Sequence, residues 1–331
     1  MSISVVVPVR NEEASIRALL DALLAQTRPP DEIVITDGGS SDATVAVIES
    51  YIERGAPVRL IRASAALPGR GRNLAAAQAS GEWLAFTDAG IRPAHDWLEA
   101  LAARAERDGA DVVYGAWIPV TDSFFKECAA IAYVPAPAQI DDGFVRPSFI
   151  ASSLMRREVW RAAGGFPEHL RSAEDLLFMD RVAEAGFRIV QTSRAVVNWN
   201  IQPTFWRTFR RFASYARHNI RAGLWSRWQA AIFRRYALLI LLALPALLLG
   251  PRWLLLVIAC WLLLLVMRAV VALKRNRRAF PASFSRQLGR LLLIVPLLAM
   301  LDAASFCGTL DWLLKDKLHW SGEAGAVGDG A

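Results

Sequence analysis

Three segments of the chain place carboxylates where a ligand or a reacting group could meet them. Asp37 ends the apolar run IVIT, Asp88 ends the run LAFT, and Glu174 and Asp175 form an adjacent acidic pair within SAEDLLFMDR. A carboxylate at the end of a buried strand can bind a divalent cation or accept hydrogen bonds from a polar ligand. Adjacent carboxylates repel each other, which raises the chance that one of them has the elevated pKa that a general base requires.

Each of these acidic residues also has a purely structural interpretation. Asp88 could cap the segment that follows it, and Ser172 could cap a helix whose first turn holds the acidic pair. Capping explains Asp37 less well, because the loop GGSSD that follows it supplies its own capping residues. A metal site at Asp88 would usually need a second carboxylate two residues on, and that position is Gly90. Asp88 is therefore half of a cation site, a ligand for another group, or a cap.

The order of apolar segments predicts the elements that must position these residues. The patterns predict strands at residues 3–9, 32–36, 58–62, 83–87 and 112–115, and helices at 12–26, 42–54, 68–80 and 96–107. This alternation predicts an α/β fold with a mostly parallel central sheet covered by helices on both faces. Ligands bind such sheets beyond the carboxyl ends of the strands, so the loops VRNEE, DGGSSD and DAG should share one rim. Farther along, we predict helices at 124–133 and 174–185, and strands at 147–153 and from residue 187.

Charge and hydropathy both change near residue 200. Residues 1–200 carry 20 Lys and Arg against 26 Asp and Glu, whereas residues 201–331 carry 18 against 5. A net positive charge confined to the apolar C-terminal region favours a membrane with anionic headgroups as the partner, and we expect no nucleic-acid binding. Residues 204–228 mix Trp and Phe with Arg at helical spacing, which predicts a helix in the membrane interface.

Three apolar stretches follow, at residues 230–249, 253–273 and 288–310. The second is long enough to span a bilayer. The first stretch contains Arg234 and Arg235, and the third contains Arg290 and Asp302. Because of these charged residues, each of the two either crosses the membrane or forms a re-entrant segment, which gives two to three membrane helices. The basic loop KRNRRAF predicts a multi-pass protein of the inner or plasma membrane whose N-terminal domain is cytoplasmic.

These boundaries predict four regions. We expect a sheet domain at 1–200, an interfacial helix or linker at 201–229, membrane segments at 230–314 and a flexible tail at 315–331. The three cysteines have neither metal-ligand nor redox spacing, which is typical of a domain in a reducing compartment. The four histidines are scattered along the chain and receive no predicted role.

Five motifs resemble those of a known family. PVRNEE, EIVITDGGSSDAT, GRGRNLAAAQASGEWLAFTDAG, GGF and AEDLLFMDR occur in the order and spacing of family 2 glycosyltransferases of the GT-A fold. The resemblance covers roughly residues 3 to 200. It implies transfer of a sugar from a nucleotide-diphosphate sugar donor to an acceptor hydroxyl, with inversion and with a divalent metal, Mg²⁺ or Mn²⁺. The apolar C-terminal part suggests a lipid or lipid-linked acceptor that enters from the membrane side.

The resemblance also implies roles for individual residues. Asp175 matches the family's general base, with Glu174 beside it as an acceptor contact or a support for the base. Asp88 matches the first acid of the family's D-x-D motif, which binds the ribose and helps to hold the metal. The remaining nucleotide contacts implied are Pro8, Arg10 and Glu12 in the first loop, Asp37 on the nucleobase, and the RN pair Arg72 and Asn73.

The sequence departs from the family pattern at Gly38 and Gly90, where relatives often have a second acid. A metal could still bind through the donor diphosphate, water and Asp88. Alternatively an arginine, with Arg72 and Arg211 as candidates, could neutralise the leaving group. We expect metal use that is retained but weakened.

A second interpretation of the chain is a non-catalytic membrane protein that keeps the fold as a nucleotide-binding or scaffold module. The missing acid at Gly90 supports this interpretation. The intact acidic pair, Glu174 and Asp175, argues against it.

Overall fold

A computed structural model describes residues 1–318 and divides the chain into two compact units. The first, here called the sheet unit, comprises Met1–Val120 and Pro137–Asn200. The second, the helical unit, comprises Thr121–Ala136 and the chain from Ile201 onward. Residues 319–331, which include His319 and most of the predicted tail, lie outside the described residues.

The strands are β1 (Ile3–Val9), β2 (Glu32–Asp37), β3 (Val58–Arg62), β4 (Trp83–Phe86), β5 (Ile91–Pro93), β6 (Val112–Val120), β7 (Ala138–Ile140), β8 (Gly143–Val145), β9 (Ser153–Arg156) and β10 (Ile189–Asn200). The helices are α1 (Glu13–Leu24), α2 (Thr44–Glu53), α3 (Pro68–Gln78), α4 (Trp97–Asp108), α5 (Phe124–Tyr133), α6 (Arg157–Ala162), α7 (Glu174–Glu184), α8 (Phe205–Arg221), α9 (Trp225–Trp228), α10 (Ala230–Ala243), α11 (Ala246–Leu249), α12 (Trp253–Arg275) and α13 (Phe284–Trp312). A short 3₁₀ turn, Ile150–Ser152, precedes β9, and a π-helical turn, Leu313–Lys317, continues α13 into the start of the predicted tail.

Eight strands form one sheet in the order β3-β2-β1-β4-β9-β6-β10-β5. Only β9 and β5 among these eight run antiparallel to their neighbours, so the predicted α/β fold with a mostly parallel sheet is confirmed. In the parallel half, Val9 of β1 lies level with Asp37 of β2. The carboxyl ends of β1, β2 and β4 therefore lie side by side, as a shared ligand rim requires.

Helices cover both faces of the sheet because successive strand residues point to opposite sides. Val5 and Val7 of β1 belong to one buried cluster with residues of α1, α2 and α4. Val6 belongs to the other cluster, with residues of α3, α6 and α7. The helix predicted at residues 12–26 is confirmed as α1, and its Ile16 and Leu20 are fully buried.

Residues 147–153 differ from the predicted strand. Residues 150–152 form a 3₁₀ turn instead, and β9 begins at Ser153 between β4 and β6. The apolar residues of this segment therefore did not predict its conformation. Periodicity alone does not distinguish a short buried strand from a short buried helical turn. The three-residue strand β5, the hairpin of β7 and β8, and the helix α6 were not predicted.

The helical unit contains three helices long and apolar enough to cross a membrane: Ala230–Leu248, Trp253–Arg275 and Phe284–Lys317. These properties of length and composition indicate membrane association. The first two helices run antiparallel, since the Trp253 indole donates to the Leu242 carbonyl and the Trp261 indole donates to the Tyr236 hydroxyl. Helix α8 packs closely on α13 at Gly308, where a side chain would not fit. A Cβ on Gly308 would lie 2.1 Å from the Ala213 carbonyl oxygen.

The predicted sheet domain of residues 1–200 includes one segment that belongs elsewhere. Thr121–Ala136, with helix α5, groups with the helical unit. The physical reason is that Cys128 and Ile131 of α5 are buried in one cluster with Ile294 and Leu298 of α13. The sequence predicted this helix but did not identify its partner.

Candidate active site

Two loops at the carboxyl ends of β1 and β2 are joined by hydrogen bonds. The Asn11 amide donates to Ser40 Oγ at 2.8 Å, and the Ser41 amide donates to Asn11 Oδ1 at 2.8 Å. The Glu12 amide donates to Thr44 Oγ1 at 2.7 Å. The two loops that were predicted to share a rim therefore form one connected surface.

Asp37 lies within this surface and is 4% exposed. Its carboxylate accepts hydrogen bonds from the Gly39 amide at 3.0 Å and the Ser40 amide at 3.1 Å. The Asp37 carboxylate thus holds the backbone of the GGSSD turn in place. This structural role was not predicted from the sequence, where helix capping was the structural alternative. Its contact with a nucleobase stays a prediction.

Gly38 follows Asp37 for a steric reason. A Cβ at this position would lie 2.6 Å from the Ala66 carbonyl oxygen, closer than real Cβ contacts come. The loop between β3 and α3 occupies the space in which an acidic side chain would start. The first departure from the family pattern is therefore built into the packing of this chain.

The other residues predicted for the first loop differ in exposure. Pro8 is partly buried against α3, where Gly71 leaves room for it: a Cβ on Gly71 would lie 3.1 Å from Pro8 Cβ. Glu12 is partly buried and accepts a hydrogen bond from Ser15 in the first turn of α1. Arg10 is exposed at the end of β1, so it is the cation of this loop that a ligand can reach.

Arg72 joins two of the predicted acidic residues. Its Nη1 donates to Glu174 Oε1 at 2.7 Å, and its Nη2 donates to Asp88 Oδ1 at 2.8 Å. The residue is 4% exposed, and its guanidinium lies over the Phe166 ring at 5.4 Å from the centroid. Burial would lower the pKa of Arg72, but the attraction of Asp88 and Glu174 outweighs it and raises this pKa. Arg72 is therefore a fixed positive charge between two carboxylates, which leaves it poorly placed to neutralise a leaving group.

Asp175 differs electrostatically from its neighbour Glu174. Within residues 1–318 no ion pair involves Asp175, and its Oδ1 accepts a hydrogen bond from the Leu176 amide at 2.9 Å. Burial among protein atoms and the adjacent Glu174 charge raise the pKa of Asp175 to about 7, against the opposing attraction of Arg72. Part of its surface remains accessible. An accessible carboxylate with this pKa is suited to take a proton near neutral pH.

The turn before the acidic pair has a constrained backbone. Ala173 adopts a left-handed conformation with φ of 69°, which is uncommon for a residue with a side chain. Asn11 and Ala65, at 55° and 58°, share this conformation in other loops of the sheet unit. Such residues concentrate at ligand sites, where the surrounding structure holds them in place. Ser172 does not cap α7, because the described residues offer its buried hydroxyl no hydrogen-bond partner.

Asn73 anchors the GGF turn. Its Nδ2 donates to the Phe166 carbonyl at 2.9 Å, while its Oδ1 accepts from the Phe166 amide at 2.8 Å and the Trp160 indole at 3.1 Å. Gly165 has φ of 67°, and a Cβ there would lie 2.8 Å from Asn73 Oδ1. The amide of Asn73 is thus committed to the turn that leads to α7, and its predicted contact with the nucleotide stays a prediction.

Asp88 has one carboxylate oxygen bonded to Arg72, and its side chain is 34% exposed. Gly90 lies at the surface, and a Cβ built on it meets no atom within 4 Å. Across residues 1–318 no group of three or more His, Cys, Asp or Glu side chains is arranged to hold a metal ion. The residues present therefore fit a divalent cation only if Asp88 is its one protein ligand and the other ligands come from a bound diphosphate and water.

Several buried polar atoms around this cluster lack a partner. Within the described part of the chain, these atoms are Arg72 Nε, Glu174 Oε2 and Thr87 Oγ1. Buried polar groups are nearly always hydrogen-bonded, so their concentration beside Asp88 and Asp175 indicates a place that water or a ligand completes.

The sequence alone missed two features of the site. Asn11 connects the first two loops, and Arg72 connects Asp88 of the third loop to Glu174 of α7, which lies 102 residues after this arginine. The sequence did contain a signal for Asn11, because a polar residue between a strand and the start of a helix often forms hydrogen bonds within a turn. The arginine lay in the RN pair already predicted, but its carboxylate partners depend on the tertiary fold.

Comparison with known proteins supports this interpretation of the fold. Residues 4–151 match the family model Glycosyl transferase family 2. The chain is 31% identical over 196 residues to a poly(ribitol-phosphate) beta-N-acetylglucosaminyltransferase of Staphylococcus aureus, a match that covers 54% of this chain and 32% of that protein. It is 27% identical over 240 residues to the succinoglycan biosynthesis protein ExoA of Rhizobium meliloti, covering 66% of this chain and 72% of the relative.

A solved structure resembles the chain over nearly its whole length. It is a mannosyltransferase of Pyrobaculum calidifontis in complex with GDP-Man and Mn²⁺, with a TM-score of 0.57 over 95% of this chain and 87% of that one. At 20% identity this likeness concerns the fold alone. Together with the family match, it confirms the resemblance drawn from the motifs. Residues 4–151 are therefore a family 2 glycosyltransferase domain, and the fold that contains them is GT-A.

Proposed function

We propose that the chain is an inverting glycosyltransferase that moves a sugar from a nucleotide-diphosphate sugar to an acceptor hydroxyl. The observation that carries this proposal is the division of charge around Arg72. Glu174 and Asp88 are both paired with this arginine, whereas Asp175 has no ion pair among residues 1–318 and its pKa is raised to about 7. One carboxylate is thus kept available for a proton while its neighbours are paired with a fixed cation.

Asp175 acts as the general base in this proposal. Its carboxylate accepts the proton of the acceptor hydroxyl while the hydroxyl oxygen forms a bond to the anomeric carbon of the sugar. The bond from that carbon to the diphosphate oxygen breaks on the opposite face, and the nucleoside diphosphate leaves with the electron pair. Attack opposite the leaving group inverts the anomeric configuration.

The donor's nucleotide is assigned to the rim of the sheet unit. We propose contacts with Pro8, Arg10 and Glu12, with Asp37 on the base and Asp88 on the ribose side. The support is that the first two loops are connected by hydrogen bonds and that Asp37 and Asp88 follow strands that both pair in parallel with β1. Arg72 and Asn73 position the surrounding loops in the same proposal.

Asp88 is the residue we propose for a divalent cation, Mg²⁺ or Mn²⁺. A bound cation would supply positive charge to the departing diphosphate. One accessible carboxylate fits this use, because Mg²⁺ commonly binds through one or two carboxylates together with substrate phosphates. Weak, diphosphate-dependent metal binding is the expected behaviour.

A thermal-unfolding panel tests donor and metal binding together. Nucleoside diphosphates are added to the full chain in detergent, with Mn²⁺, Mg²⁺ or EDTA, because a ligand of the folded state raises the apparent stability by mass action. We expect one diphosphate to raise the melting temperature, and to raise it more with metal than with EDTA. Equal stabilisation with EDTA would refute the metal assignment, and no stabilisation by any diphosphate would refute the donor assignment.

The acceptor we propose is a lipid or lipid-linked hydroxyl at the cytosolic face of the inner or plasma membrane. Three apolar helices in the same chain support a membrane-bound acceptor, and the basic residues 274–278 support a cytosolic position by the positive-inside rule. Radiolabelled donor is supplied to the purified chain with lipid extracts or with water-soluble acceptors. Label that enters only water-soluble acceptors would contradict the proposal.

A non-catalytic nucleotide-binding module is the second candidate. Gly90, which leaves Asp88 without a second acid two residues on, favours it. It predicts nucleotide binding without turnover of any nucleotide sugar. Donor turnover that depends on Asp175 would exclude it.

A further inference from the structure

A charged cluster lies among three apolar helices of the helical unit. Asp302 of α13 is 1% exposed, although its helix is one of the three candidate membrane spans. The Arg268 guanidinium on α12 donates to both carboxylate oxygens of Asp302, with Nη2 to Oδ1 at 3.0 Å. The Tyr236 hydroxyl on α10 donates to Asp302 Oδ2 at 3.2 Å, and the Trp261 indole donates to this hydroxyl at 3.1 Å.

The cluster contains more positive than negative charge. Arg235 of α10 approaches Asp302 only loosely, with 3.8 Å between Nη2 and Oδ1. Both oxygens of Asp302 are already used by Arg268. The Nε of Arg235 is buried, and the described chain gives it no hydrogen-bond partner. One carboxylate therefore faces two guanidiniums, and an uncompensated charge among apolar helices is costly unless a ligand or water neutralises it.

The position of the cluster along the helices suits a lipid headgroup. Arg235 lies five residues after the start of the first span, about 8 Å along the helix axis. Arg268 lies seven residues before the end of the second span, about 10 Å from that end. Because these two helices are antiparallel, both arginines lie near the same end, where the basic loop at 274–278 also lies. Arginine side chains reach over such distances toward an interface.

The two arginines also remain accessible at this depth. Side-chain exposure is 30% for Arg235 and 24% for Arg268, in contrast to the enclosed Asp302. A guanidinium presents a planar fork of donors that matches phosphate oxygens. Asp302 orients the fork of Arg268, and no acceptor among residues 1–318 matches the fork of Arg235.

We infer that Arg235 and Arg268 form a binding site for the phosphate group of a membrane lipid. The phosphate oxygens accept from the Nη atoms of Arg235 and from the accessible edge of Arg268, while Asp302 fixes the position of Arg268. The site is separate from the proposed chemistry at Asp175 and does not depend on it.

Native mass spectrometry of the full chain in detergent tests this site. The protein is mixed with phosphatidylglycerol, with polyprenyl phosphate, with phosphatidylcholine or with inorganic phosphate. We expect the anionic lipids to remain bound, phosphatidylcholine to bind at least about tenfold more weakly, and inorganic phosphate to be lost. Retention of polyprenyl phosphate alone would identify a carrier lipid, and equal retention of both anionic lipids would identify a general phospholipid site. Both results support the inference.

Arg235→Gln is the decisive variant, and Arg234→Gln is its matched control. Arg234 is the neighbouring arginine of the same helix, and within residues 1–318 it takes no part in the cluster. We expect binding of anionic lipid to weaken about tenfold in the first variant and to be unchanged in the second. If Arg235→Gln does not fold, Arg235→Lys provides the test, because it keeps the positive charge but loses the planar fork of donors, and we expect anionic lipid to bind more weakly than in wild type. Equal lipid retention by wild type and Arg235→Gln, equal loss in both glutamine variants, or inorganic phosphate bound as tightly as lipid would each overturn the inference.

Discussion

The rate of sugar transfer should rise with pH through neutrality because its proposed base is Asp175. Burial and the Glu174 charge raise the pKa of this carboxyl to about 7. With this pKa, the ionised fraction is about one tenth at pH 6, one half at pH 7 and nine tenths at pH 8. Only the ionised form takes a proton, so we expect kcat/KM to increase about tenfold between pH 6 and pH 8 and then to level off.

Two variants should move this pH profile in opposite directions. Glu174→Gln removes a charge that raises the pKa of Asp175, so the rising part of the profile should shift to lower pH. Arg72→Gln removes a charge that lowers this pKa, so the rising part should shift to higher pH. The assay is release of nucleoside diphosphate at low donor concentration, because kcat/KM reports groups of the unliganded protein.

Donor affinity measured across the same pH range is the control for titration of the donor's own phosphates. A profile that is flat between pH 6 and pH 8 in the wild type would refute the assignment of Asp175 as a base with a raised pKa. Shifts of the same sign in both variants would refute the electrostatic origin of that pKa.

Three glycine and asparagine substitutions test the packing of the site. Gly90→Asp adds a carboxylate at a position where a Cβ meets no atom within 4 Å. We therefore expect Mn²⁺ to increase nucleotide affinity more in this variant than in wild type, as measured by titration calorimetry. An equal effect of Mn²⁺ in both proteins would contradict the assigned rim. Gly69→Ala would place a Cβ 2.3 Å from the Pro167 carbonyl oxygen, so we expect a loss of about 1–3 kcal/mol in stability, seen as a lower melting temperature, with Gly90→Ala as the neutral control. Asn73→Ala removes the bonds that anchor the GGF turn, and we expect a loss of about 1–3 kcal/mol together with faster proteolysis of residues 164–173; unchanged protection there would refute the anchoring role.

The parallel half of the sheet was well predicted from the sequence. Buried strands of an α/β fold read as continuous apolar runs, and β1, β2 and β4 are of this kind. Since the carboxyl ends of parallel strands meet at one edge of the sheet, the order of these runs was enough to place Asp37 and Asp88 on the same rim. The position of the acidic pair at the start of α7 was predicted separately, from the sequence signals that mark the start of a helix.

The partners of the charged residues could not be predicted in this way. Arg72 binds Glu174 across 102 residues of sequence, and no local pattern records that pairing. The same limit applies to α5, which was predicted as a helix but not as a partner of α13. The reason for Gly38 was likewise hidden, because the atom that excludes a side chain there belongs to Ala66 in another loop.

Donor turnover by wild type and Asp175→Asn is the most direct test of the central claim. The full chain is supplied with nucleotide sugars and a membrane lipid extract, and nucleoside diphosphate release is measured, with Glu184→Gln as an exposed acidic control on the same helix. We predict that Asp175→Asn lowers turnover about 10²- to 10⁴-fold while nucleotide affinity is kept, and that Glu184→Gln matches wild type. Equal turnover by wild type and Asp175→Asn would contradict the account.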